Sequence, residues 1–147
     1  MARYLIGLGS SHPAGLEYIQ RACLLLDMSA FVQVKGVSAL YPNPAMGGRT
    51  QFNFVNAAVA ITTLLAADGL WFFLRSVEQK LGRVRLGKNG PRTIDLDVLW
   101  CVDGNVSTSY LVLPHPGLFE RPFALNPAAE AARLAKWPFI FQAANIF

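Results

Sequence analysis

The chain has 147 residues, 53% of them hydrophobic and 15% charged, with a net charge of +4 from thirteen Lys/Arg against nine Asp/Glu. That length suits one domain, expected to span residues 1–147, and so much core material excludes an intrinsically disordered chain. The two cysteines, Cys23 and Cys101, are too few for a disulfide scaffold, and no Cys/His spacing suggests zinc, so two buried thiols in a cytoplasmic protein are expected.

Arg3 to Leu8 is an apolar run closed by Gly9-Ser10-Ser11, which predicts a buried strand entering a loop. Leu16, Ile19, Cys23 and Leu26 recur at helical spacing and predict a helix over about Leu16 to Leu26. Phe31 to Tyr41 is rich in β-branched and aromatic residues and reads as a strand with a bulge at Gly36. Prolines and glycines from Pro42 to Gly48 predict a loop. Phe52 to Thr63 returns as a long strand, with Phe54, Asn56, Ala58 and Ala60 on one face and Val55, Ala57, Val59 and Ile61 on the other.

Leu70, Phe73, Leu74, Val77 and Leu81 form the stripe of a helix over Asp68 to Leu81, ended by Gly82. The most apolar later run, Leu64 to Leu74, contains Asp68 and is too short to cross a bilayer, and no targeting segment is read at the amino end. Ile94 to Cys101 reads as a strand, followed by an Asp103-Gly104 hairpin turn. Pro114 and Pro116 frame His115 in irregular structure, and Pro122 opens a final helix that runs through Leu125 and resumes after Pro127. This order predicts an α+β fold: one antiparallel-rich sheet with helices packed on both faces, a ferredoxin-like three-layer arrangement.

The charge is local. Lys80, Arg83, Arg85, Lys88 and Arg92 are uninterrupted by any acid, and the remainder of the chain is nearly neutral. A nucleic-acid binder spreads its basic face more widely, so a compact polyanion such as a nucleotide triphosphate is the better partner, with neither nucleic acid nor membrane expected. Directly after the cluster stands Gly90-Pro91-Arg92-Thr93-Ile94-Asp95-Leu96-Asp97. On a strand Asp95 and Asp97 project from one face while Ile94, Leu96 and Val98 anchor the other. Paired hard-oxygen ligands of this kind suit Mg²⁺, which takes its remaining ligands from water and substrate phosphates. A D-x-D triplet alone is weak, since two solvated acids look the same; a triplet leaving a five-cation loop is stronger. His115 can serve a phosphate or merely hold a loop. Phe54 and Phe123 can flank a flat ring or fill a core, and Asn56 can read a heterocycle edge. Neither a dinucleotide fingerprint nor a P-loop occurs.

Together, Gly7-Leu8-Gly9-Ser10, Phe54-Val55-Asn56-Ala57-Ala58-Val59, Leu81-Gly82-Arg83-Val84-Arg85, Gly90 to Asp97, Leu113-Pro114-His115, Arg121 and Phe123 resemble, in order, the 6-hydroxymethyl-7,8-dihydropterin pyrophosphokinase family of folate biosynthesis. The resemblance implies transfer of pyrophosphate from ATP to the pterin, releasing AMP. It implies that Asp95 and Asp97 hold two Mg²⁺ ions, and that Arg83, Arg85, Arg92, His115 and Arg121 are catalytic. Glu78, Arg83, Arg92, His115 and Arg121 would bind the nucleotide. Phe54, Asn56, Phe123, Asn43 and Met46 would bind the pterin, in a protein expected to be monomeric.

The chain departs from the family's usual pattern at Ser11, Phe54, Asn89, Pro116 and Arg75, where familiar members carry Asn, Tyr, Trp, an aromatic and Gln. These departures leave an alternative: a diverged paralogue that binds a pterin or nucleotide with altered substrate or little turnover.

Overall fold

The structure is a computed structural model, and its described residues are 1–43, 54–82 and 93–139. Among the described residues, seven strands and three helices follow the order β1 (Ala2–Ser10), α1 (Gly15–Met28), β2 (Val32–Val37), β3 (Tyr41–Asn43), β4 (Phe54–Thr63), α2 (Ala67–Lys80), β5 (Asp95–Cys101), β6 (Val106–Ser107), β7 (Val112–Leu113) and α3 (Pro122–Leu134), with a 3-10 turn at Leu118–Glu120. The main sheet runs β2-β4-β1-β5, and β3 pairs with β4 further along that strand. All its pairings are antiparallel.

Alternation along the strands divides the core in two. Tyr4, Ile6, Leu8, Ala57, Val59, Ile61, Leu96 and Val98 pack with Ile19, Leu26, Leu70 and Leu74 of α1 and α2. Leu5, Ala58, Ala60 and Leu99 pack with Leu125, Ala128, Ala131 and Ala132 of α3. The expected α+β fold with helices on both sheet faces is what the chain adopts. Burying a leucine such as Leu96 stabilises by about 1.5–3 kcal/mol, and slipping β5 by one residue would forfeit that for every core residue on the strand. The hydrophobic core therefore fixes which face carries Asp95 and Asp97.

Several local expectations are corrected. Pro42 and Asn43 are not loop but part of β3, where an edge position requires no donor from proline. The strand expected over Phe31 to Tyr41 divides into β2 and β3; the Gly36 bulge is real, with the β2–β4 register shifting between Val34 and Gly36. Its cause is close approach, since a Cβ on Gly36 would stand 2.7 Å from the carbonyl oxygen of Ala131 in α3. Asp103-Gly104 turns the chain but does not return it along β5: β6 pairs with β7 in a separate ribbon. Asp103 instead ties down β1, accepting the Arg3 backbone N–H at 2.7 Å and its guanidinium at 2.9 Å. Pro127 does not interrupt α3; it is buried within the helix. Gly82, at φ +76°, does end α2. Beyond α3, Trp137 and Phe139 are buried on the chain's own second core, where Phe139 packs 5.0 Å from Trp100.

Candidate active site

On the α3 side the central strand β1 presents Gly7 and Gly9. Gly9 pairs with Asn56 on one flank and Asp95 on the other, while Gly7 pairs with Ala58 and Asp97. Side chains on one sheet face stand about 4.5–5.5 Å apart across a strand pair, so two bare positions leave a trough between β4 and β5. The space is tight: a Cβ on Gly9 would lie 3.0 Å from Asn56 Oδ1, and one on Gly7 would lie 3.0 Å from Leu99 Cδ1. The resulting cleft of about 250 Å³ is lined by Phe54, Asn56, Asp95, Asp97, His115, Arg121 and Phe123 among others. Seven sequence-predicted site residues, on β4, β5, the loop after β7 and the start of α3, thus share one cavity.

Each arrives by a local cause. Asp95 and Asp97 leave the upper face of β5 because Ile94 and Leu96 are fully buried below it. A register shift opposite Leu5/Ile6 lets Leu99 join the same face and floor the cleft. His115 follows a cis Leu113–Pro114 peptide bond and donates its backbone N–H to the Leu99 carbonyl at 2.9 Å, which docks it beside β5. Its Nδ1 accepts from Gly117 N–H at 3.3 Å, so the ring is held with Nε2 as its remaining donor. Arg121 precedes Pro122 at the amino end of α3, and its guanidinium lies against Gly117, where a Cβ would come within 2.9 Å of Nε. No acid pairs with Arg121 among the described residues. Positive charge at a helix amino end suits an anion.

Phe54 and Phe123 are both more than a third exposed, and neither ring packs on another ring among the described residues. In the same cleft, Asn56 Nδ2 is buried and finds no acceptor among the described residues. An unpaired buried donor costs about 1–3 kcal/mol, a cost that an acceptor brought by a ligand would remove.

A second cleft of about 200 Å³ adjoins the first and shares Asp97 and His115 with it. Trp71, Arg75 and Tyr110 form its far wall. Sequence reasoning passed over Trp71 and Tyr110; their rings lie 5.0 Å apart, and the Arg75 guanidinium sits 5.1 Å from the Trp71 ring centre. The signal available was the aromatic pair Trp71-Phe72 breaking the apolar stripe of α2.

Glu78 lies apart from both clefts. It is 4% exposed and accepts the Leu96 backbone N–H at 2.8 Å, facing the strand rather than the cavity. Met46, Arg83, Arg85 and Arg92 lie outside the described residues, and Asn43 is described by its backbone alone, as the last residue of β3.

The donor set fits magnesium. Asp95 is half-buried and Asp97 exposed on the same cleft wall, and among the described residues no group of three or more His, Cys, Asp or Glu side chains is placed to hold a metal. Two carboxylates without nitrogen or sulfur suit a hard cation that keeps waters and phosphate ligands, and would be a poor zinc site.

A family model described as 7,8-dihydro-6-hydroxymethylpterin-pyrophosphokinase (HPPK) matches residues 5–133. The 2-amino-4-hydroxy-6-hydroxymethyldihydropteridine pyrophosphokinase of Bacillus subtilis is 40% identical over 125 residues, covering 85% of this chain and 75% of that protein. The protein of the same name from Methylorubrum extorquens is 42% identical over 132 residues, covering 90% and 84%. A crystal structure of Plasmodium falciparum HPPK-DHPS superposes with a TM-score of 0.69 at 12% identity, covering 99% of this chain and 43% of that one. At that identity the likeness is one of fold, and the chain spans under half of the longer protein.

Proposed function

Since the chain belongs to the 7,8-dihydro-6-hydroxymethylpterin-pyrophosphokinase family, enzymes that transfer pyrophosphate in folate biosynthesis, we propose that it moves the β,γ-pyrophosphoryl group of ATP to 6-hydroxymethyl-7,8-dihydropterin and releases AMP. The hydroxymethyl oxygen forms a bond to the β-phosphorus, the β-phosphorus–oxygen bond to the α-phosphate breaks, and the hydroxyl proton is lost.

The observation that carries this reading is the bare Gly7/Gly9 floor, which separates a ring-reading wall on β4 from a carboxylate wall on β5. The pterin lies on the first side. Phe54 and Phe123 flank its ring, and the unpaired Asn56 Nδ2 donates to its acceptor edge. The triphosphate lies on the second side. His115 donates from Nε2 to a phosphate oxygen, and Arg121 supplies fixed positive charge beside it. The adjoining cleft receives the nucleotide base against Trp71 and Tyr110. Asp95 and Asp97 would hold magnesium, two ions by the family resemblance, and the chemistry it would supply there is neutralising the charge of the phosphates. What this chain's own residues contribute is positioning: two substrates fixed on opposite sides of a narrow floor face each other for in-line attack.

The test is incubation with ATP, Mg²⁺ and 6-hydroxymethyl-7,8-dihydropterin, resolving AMP from ADP. Pterin-dependent AMP is expected. ADP would mark an ordinary kinase and overturn the reading. Pterin binding without nucleotide product would replace it with the diverged binding protein, a reading favoured by Pro116 lining the second cleft.

A further inference from the structure

β5 is the outer strand of its side of the sheet, so alternate residues turn both backbone groups away from β1. Leu96 is one of them. Its N–H donates to Glu78 Oε2 at 2.8 Å, and its carbonyl accepts from Arg75 Nη2. Arg75 and Glu78 stand three residues apart on α2 and form an ion pair, Nε to Oε1 at 3.2 Å, a contact of charges without hydrogen-bond geometry. Two side chains of one helix thus serve both backbone groups of one strand residue, where a neighbouring strand would otherwise sit. The Leu96 side chain is itself fully buried. The residue between Asp95 and Asp97 is therefore fixed by its side chain, its N–H and its carbonyl at once.

Burying a carboxylate that deeply is costly, and an apolar residue of similar size commonly stabilises a core as well or better. The arrangement makes sense where position matters more than stability. Arg75 also lines the second cleft and packs on Trp71, so an occupant of that cleft bears on the group that holds the Leu96 carbonyl.

We propose that Arg75 and Glu78 are positioning residues which, by clamping the Leu96 backbone, set the spacing and aim of Asp95 and Asp97 and so the divalent-cation affinity of the site. This rests on reading Asp95 and Asp97 as the cation ligands. The clamp acts through the strand, and Glu78 need touch neither nucleotide nor metal.

The experiment compares the parent with Glu78→Leu, Glu78→Gln and Arg75→Met in three readouts that need no turnover. These are Mn²⁺ binding by electron paramagnetic resonance with a non-hydrolysable ATP analogue, amide exchange at Leu96 by NMR, and pterin affinity by fluorescence. In Glu78→Leu, Leu96 exchange is expected to accelerate and Mn²⁺ affinity to fall roughly 10–100-fold, as when a group supporting a metal ligand is lost. Pterin affinity should hold. Glu78→Gln, which keeps an acceptor for Leu96 N–H, should restore Leu96 protection and most of the Mn²⁺ affinity. Unchanged Mn²⁺ affinity despite faster Leu96 exchange would overturn the clamp, as would an equal fall in pterin affinity. If Glu78→Leu does not fold, Arg75→Met takes its place: Mn²⁺ affinity is expected to fall while pterin affinity holds, and parent-like Mn²⁺ affinity would overturn the clamp. Asp97→Asn separates the premise from the proposal: parent-like Mn²⁺ binding there would sink the cation site itself.

Discussion

Gly9 and Asn56 face each other across β1 and β4 so closely that a Cβ on Gly9 would stand 3.0 Å from the Asn56 amide oxygen. The cleft exists because that Cβ is missing. Gly9→Ala raises the floor under the ring-reading amide and pushes Asn56 by a few tenths of an ångström, a shift the strand can absorb but a fitted ligand cannot. One added methyl in a shaped pocket is worth about 1–3 kcal/mol, so pterin affinity should fall by about five- to 150-fold. Fluorescence titration beside a thermal melt checks this; parent-like affinity would show that the trough is not where the ring sits.

Asn56 itself should separate stability from function. Its buried Nδ2 has no partner among the described residues, so the folded apoprotein bears the cost of desolvating it. Asn56→Leu removes that cost with a side chain of the same branching pattern. The melting temperature should hold or rise while pterin binding is lost. A clear drop in melting temperature would mean that the amide serves the fold instead.

Asp97→Asn should show the same opposition on the other wall. Asp95 and Asp97 are like charges on one face of one strand, and relieving their repulsion should leave stability unchanged or slightly improved. AMP formation should fall by about two orders of magnitude or more, the scale of losing a main source of charge stabilisation. Retained turnover would remove the carboxylates from the mechanism.

Much of this site was legible because strand periodicity is strict. Once Ile94, Leu96 and Val98 are assigned to the core, Asp95 and Asp97 can only face the other way, and the same parity sends Phe54 and Asn56 together. What parity cannot reveal is which strands are neighbours. That Gly7 and Gly9 lie between Asn56 and Asp95–Asp97 depends on β1 standing at the centre of the sheet, a long-range fact with no local signal. The contact of Glu78 with β5 was hidden for the same reason: the backbone N–H it accepts belongs to Leu96, eighteen residues away. The Asp103-Gly104 turn misled because turn chemistry gives the bend but not the partner, which for Asp103 is Arg3 at the far end of the chain.

Gly36 is a structural position that should leave the chemistry alone. A Cβ there would meet the Ala131 carbonyl at 2.7 Å, and neither β2 nor α3 can yield without moving backbone. Gly36→Ala should destabilise the fold by about 1–3 kcal/mol, the range for overpacking, with pterin affinity unchanged below the transition. A melting temperature equal to the parent's would mean that the bulge relaxes freely.

Asp103 gives the fold an acid-side dependence whose sign can be worked out. Hydrogen bonds from the Arg3 side chain and backbone hold its carboxyl below the usual carboxylate range. A depressed folded value means the unfolded chain binds the proton first, so the stabilisation is complete above the unfolded value and fades as pH falls through the folded one. Both side chains are more than a third exposed, at 39% and 38%, so solvent screening limits the pair to about 1 kcal/mol or less. Asp103→Asn should therefore melt slightly below the parent at neutral pH, and the two curves should converge in acid. High salt should narrow the same gap by screening the charges. A gap that persists unchanged in acid would assign the contribution to the turn's geometry and not to the carboxylate's charge.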